Sequence, residues 1–176
     1  MAVTVEDVDR LLESTAVVGP DVPVGRIRAW RDELAHVAVL LAYARHVLSV
    51  DVRVLQDAVQ VPGSSFAAVV DSLPETLAAA SLGGGWSLSP DAPATMSSAE
   101  QLVEGEADEL LSLHKTLARA DISTPADLAP LVADLEAELA AVTQRWEEAE
   151  ARLRKLQSQL VTKYKTKQAS VDDWLR

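Results

Sequence analysis

Ten apolar residues step by four and three without a miss: Leu128, Val132, Leu135, Leu139, Val142, Trp146, Ala149, Leu153, Leu156 and Leu160. At 3.6 residues per turn such positions share one stripe of a helix. A stripe kept over four heptads is a coiled-coil seam, which needs another helix against it. The chain supplies a second stripe. After Gly25 no Gly or Pro intervenes up to Gln60, and Ile27, Trp30, Leu34, Val37, Leu41, Ala44, Leu48, Leu55 and Ala58 repeat the same steps, with Asp51 the one break. A helix over 24–60 is about 54 Å long at 1.5 Å per residue, too long for a small globule unless a helix of similar length lies beside it.

Punctuation residues fill in the rest. Thr4 with Asp7 forms a capping box that opens a helix over Val5–Glu13, and Gly19-Pro20 and Pro23 then break the chain. Pro62-Gly63 ends the first long helix. Ser64 or Ser65 caps a short helix over Phe66–Ser72, and Leu73-Pro74 starts another to Ala80. Gly83-Gly84-Gly85, Pro90 and Pro93 mark a linker, and Ser98 with Gln101 opens an acidic helix to about Ala120. Thr124-Pro125-Ala126-Asp127 starts the second long helix, with Pro130 able to move its first turn downstream. Ser170 caps a final turn carrying Val171, Trp174 and Leu175. No strand pattern emerges. The expected fold is all-α: an antiparallel two-helix coiled-coil hairpin with short accessory helices. It forms a single helical domain over 1–176, with long helices at 24–60 and 125–167, short helices and linker at 64–120, and a tail at 168–176.

Composition narrows the function. The net charge is −11, from 16 basic and 27 acidic residues, which repels phosphate backbones, so no direct nucleic-acid partner is expected. With no cysteine there is no disulfide framework, thiolate metal site or cysteine nucleophile. No apolar run approaches the roughly 20 residues that span a bilayer, and MAVTVEDVDR lacks the basic start of a secretory signal, so a cytoplasmic protein without a membrane partner is expected.

Nothing in the sequence argues for catalysis. His36 and His46 lie ten apart, off the i,i+4 spacing of a metal pair, and His114 stands alone; all three read as solvated or half-buried. No serine sits in a Gly-x-Ser-x-Gly elbow, and Gly83–Gly85 lacks the Lys-Ser/Thr of a phosphate loop. The carboxylates read as solvated helix faces, where nothing shifts their proton affinity. Trp30 and Trp146 read as core. The last helix is acidic up to Glu150 and basic from Arg152, which complements its dipole and reads as a solvated face, or alternatively as a basic patch for an acidic partner. Trp174 and Leu175 are candidate partner-binding residues, since an aromatic near a terminus is ordered only by docking.

Two stretches are familiar: Gly25–Leu55 with the later Leu73-Pro74-Glu75, and the closing LQSQLVTKYKTKQASVDDWL of Leu156–Leu175. They resemble the RsiG family of actinobacterial anti-sigma factors, which hold the sporulation sigma factor WhiG when armed with cyclic di-GMP. The resemblance implies a ligand site between the two helices, each carrying Glu-x3-Ser-x2-Arg-x3-Gln-x3-Asp. Laid on this chain, the first motif falls on Ala38, Ala42, Arg45, Ser49 and Arg53, and the second on Leu139, Thr143, Trp146, Glu150 and Arg154. Only Arg45 matches, Thr143 keeps a hydroxyl, and both Asp positions are arginine, which cannot accept from a guanine edge. Cyclic di-GMP, or any cofactor, is therefore not expected. The expected function is a helical binding protein, an anti-sigma factor that sequesters a sigma factor without the nucleotide. The alternatives are a scaffolding coiled coil, homodimeric or not, and a cyclic-dinucleotide sensor with altered ligand preference.

Overall fold

The structure, a computed structural model, describes residues 2–19, 21–60, 63–83, 103, 105–117, 122 and 124–165. Helix α1 (Val5–Ser14) opens on the expected capping box, with Thr4 Oγ1 accepting from the Asp7 amide and the Asp7 carboxylate accepting from the Thr4 amide. The Thr4 hydroxyl, which donates to the Asp7 carboxylate at 2.7 Å, and the Thr4 amide together hold the Asp7 carboxyl below the usual carboxylate range. Helix α2 (Val24–Val59) follows, then α3 (Gly63–Gly83), a 3-10 turn (Asp108–Leu110), α4 (Ser112–Leu117) and α5 (Pro125–Lys165). No strand occurs among the described residues, and no helix there is long and apolar enough to cross a membrane.

The two long helices pack along their seams. Arg28 meets Tyr164, Arg45 meets Trp146 and Gln56 meets Glu136 between the two helices. On α5 the register is strict. Leu128, Leu135, Val142, Ala149 and Leu156 recur every seven residues and are all buried, whereas Val132, Leu139, Trp146 and Leu153 are half-buried beside them. The α2 face is far broader. Leu34, Leu41, Leu48 and Leu55 form one buried column, Val37, Ala44, Asp51 and Ala58 a second, and Leu40 and Val47 a third.

Two regions depart from the expected short helices. Residues 63–83 form one helix that runs through Pro74, not two. Phe66, Leu73 and Leu77 lie on one face at spacings of seven and four, and all are buried in the common core. Burying three such side chains at about 1.5–3 kcal/mol each exceeds the cost of roughly 3 kcal/mol for an interior proline. The expected acidic helix is instead broken. Helical residues 105–107 lead into the 3-10 turn, Leu111 leaves the helical region at φ −120° and ψ 42°, and α4 restarts at Ser112. Leu110 and Leu111 are both buried, and neighbours on a helix point about 100° apart, so the backbone turns to bring both inward. Residues 98–102 of that expected helix lie outside the described residues.

Residues 105–117 and α1 together form a third layer. The Val3 amide donates to the Glu106 carbonyl at 2.9 Å, joining the two segments end to end. Both α1 and α4 rest on α2 and α5.

Candidate functional site

Of the motif positions that the RsiG resemblance marks, spread over about 22 Å of each helix at 1.5 Å per residue, Arg45 and Trp146 meet across the α2–α5 seam. The guanidinium of Arg45 lies over the Trp146 ring, 4.1 Å from its centroid. Both side chains are half-buried, so Trp146 is a stacking surface shared between helices more than a sealed core residue. Ala38 is buried and Leu139 packs against the core. Ala42 and Thr143 are half-buried. Ser49 turns back on its own helix and donates to the His46 carbonyl, and Arg154 pairs with Glu150 one turn away at 3.7 Å. Arg53 is exposed. The C-terminal positions of each motif thus point to water or to their own helix, and among the marked residues Arg45 and Trp146 are the pair in contact across the helices. Trp174 and Leu175 lie outside the described residues.

One turn further along α2 sits a polar cluster that the heptad pattern marked only as a break. Asp51 is fully buried, and its Oδ2 lies 2.7 Å from Nδ1 of His114 on α4. Its Oδ1 is buried with no hydrogen-bond donor among the described residues. From α5, Glu138 Oε1 accepts from the Ser112 hydroxyl at 3.1 Å, while its Oε2 is buried with no hydrogen-bond donor among the described residues. Glu138 thus ties α5 to the first residue of α4. Burial pushes its carboxyl above the usual range, and the nearby Asp51 adds to that shift. This corrects the expectation that every carboxylate is solvated, and His114 has an acidic partner that spacing could not reveal. His36 likewise pairs with Glu106 at 2.8 Å. Among the described residues no group of three or more His, Cys, Asp or Glu side chains is arranged to hold a metal ion.

Arg145, Arg152 and Gln159 of α5 face the N-terminal segment rather than open solvent. Arg145 grips Asp9 of α1 through two hydrogen bonds of 2.8 and 3.1 Å, and this holds the Asp9 carboxyl below its ordinary range. One heptad on, Arg152 donates to the Ala16 carbonyl, joined there by Lys155, and after a further heptad Gln159 donates to the Val18 carbonyl. The signal was present as polar residues at 145, 152 and 159, a seven-residue repeat beside the apolar seam. Its target, backbone carbonyls near the N-terminus, has no signature in side chains. Compared with known protein families, curated proteins and solved structures, the chain matches none.

Proposed function

We propose that α2 and α5 form an antiparallel coiled-coil hairpin that works by binding a protein partner, as an RsiG-like anti-sigma factor that sequesters a sigma factor without cyclic di-GMP. The observation that carries this reading is the Arg45–Trp146 stack. The resemblance aligns these two positions with the two motif arginines, the groups suited to stacking on guanine. Here the Arg45 guanidinium already has an aromatic partner from the opposite helix, a contact worth about 0.5–2 kcal/mol depending on how far it is desolvated. With Ala38 buried and Leu139 packed against the core, the hairpin closes on its own side chains. A nucleotide that bridges the helices in the family has no gap left to bridge.

The loss can be sized. Four acceptors that would read guanine are replaced by Ala38, Arg53, Leu139 and Arg154. At about 1.5–3 kcal/mol per charge-assisted bond, half of it realised, the deficit is about 3–6 kcal/mol, or two to four decades in affinity. Calorimetric titration of the chain with cyclic di-GMP near physiological salt is expected to show no saturable heat at micromolar nucleotide. A sporulation-type sigma factor is expected to be retained by the chain with no nucleotide added. A stoichiometric micromolar nucleotide site would overturn the first half. Self-association without sigma-factor capture would overturn the second in favour of a scaffolding coiled coil.

A further inference from the structure

The N-terminal layer suggests what else the hairpin can hold. Helix α1 sits on α5 with Val8 and Leu12 buried in the core and Asp9 gripped by Arg145. The remaining grip acts on main chain: Arg152, Lys155 and Gln159 all donate to carbonyls just past the end of α1. Val8, Leu12 and Thr15 are buried, Leu11 packs on the same core, and Asp9 is the carboxylate held by charge, so a helix with the same apolar and acidic spacing that ended at the same place would also satisfy the main-chain donors. The fit of α1 is also incomplete, because Gln159 Oε1 is buried with no donor among the described residues. A helix of 10 residues is too short to persist alone, so α1 is ordered only while it is docked.

We propose that this face of α5 is a docking surface for an acidic amphipathic helix of a partner protein, and that α1 is a displaceable strap occupying it in the partner's absence. The occupant's chemistry follows from what the surface already holds: two apolar residues one turn apart, an acidic group between them facing Arg145, and free carbonyls at the helix exit. The inference extends the binding-protein reading and depends neither on the partner's identity nor on the absence of nucleotide.

The test uses the full chain and a fluorescently labelled synthetic peptide of residues 4–18, read by anisotropy. In the wild-type chain the tethered α1 competes at high effective concentration, so the peptide is expected to bind weakly. Leu12→Asp opens the strap by placing a charge in its apolar socket, and the peptide should then bind at least about tenfold tighter. Adding Arg145→Glu to that variant should abolish the gain, and a peptide carrying Asp9→Lys should show none. Should Leu12→Asp lose its helical circular dichroism, the full chain with Asp9→Ala takes its place, with a smaller gain of about threefold expected from loss of one half-buried ion pair. Peptide binding no tighter to the opened chain than to wild type, or a gain that survives Arg145→Glu, would overturn the proposal. Either result leaves the nucleotide and sigma-factor tests untouched.

Discussion

The two long helices are close in length, 36 residues for α2 and 41 for α5, yet they solve different problems. At about 100° per residue, the buried positions from Val47 to Ala38 spread over about 180° of α2, whereas the buried residues of the α5 stripe span about 80°. Helix α2 is a central post with α5, α3 and the N-terminal layer all packed on it. Helix α5 keeps one narrow apolar stripe and gives the flanking positions to polar work: Glu136 to Gln56, Glu138 to α4, Arg145 and Arg152 to the N-terminal strap. The lesson is that a sharp heptad marks a helix with one neighbour on its apolar side, while a blurred one marks a helix that is shared. The blurring on α2 is itself information about how many layers surround it.

The largest test of this contrast compares leucines. Leu41→Ala, at a fully buried site of α2, should cost about 2–5 kcal/mol by urea denaturation, and Leu153→Ala, half-buried on α5, clearly less. Equal losses would mean that α2 is not the shared post. Next comes the polar flaw in the α2 columns. His114→Ala leaves the Asp51 carboxylate buried without its imidazole and should destabilise by about 1–3 kcal/mol. Adding Asp51→Leu, which completes the column, should recover most of that loss or exceed it. A double variant no more stable than His114→Ala would show that Asp51 is held by something other than its imidazole partner.

A smaller effect belongs to Glu138. Its carboxyl holds a proton more tightly folded than unfolded, so Glu138 favours the folded state as pH falls through its raised value and loses that contribution as pH rises. Glu138→Gln should flatten that part of the stability–pH curve and be neutral or mildly stabilising at neutral pH. Asp9 runs the other way: with its proton affinity lowered by Arg145, its contribution is present at neutral pH and lost on acidification. If Glu138→Gln leaves the acid limb unchanged, burial is not what governs that carboxyl. Smallest of all, Trp146→Leu should cost no more than about 1–2 kcal/mol, since the leucine keeps the apolar contact and only the Arg45 stack is lost. A larger loss would make Trp146 a core residue after all.

Read alone, the sequence found both long helices, because an apolar stripe and the nearest Gly or Pro are local facts. It found α1 through Thr4 and Asp7 for the same reason. It also flagged Asp51 as an exception and put Arg45 and Trp146 among the marked positions. What it could not do was join an exception to its partner. His114 is 63 residues from Asp51, and Arg145 and Arg152 each reach back 136 residues to Asp9 and Ala16. Those pairings depend on the register of α5 against α2, set by the whole seam at once, and periodicity is nearly the same for registers one heptad apart. The continuous α3 and the break at Leu111 were decided in the same way. Local propensity for a stop at Pro74, or for a helix through Leu110 and Leu111, is worth at most a few kcal/mol, and burying large apolar side chains on α2 outweighs it. Sequence determined which faces are apolar and where helices begin. Only the tertiary structure decided which polar groups would be drawn into the core between them.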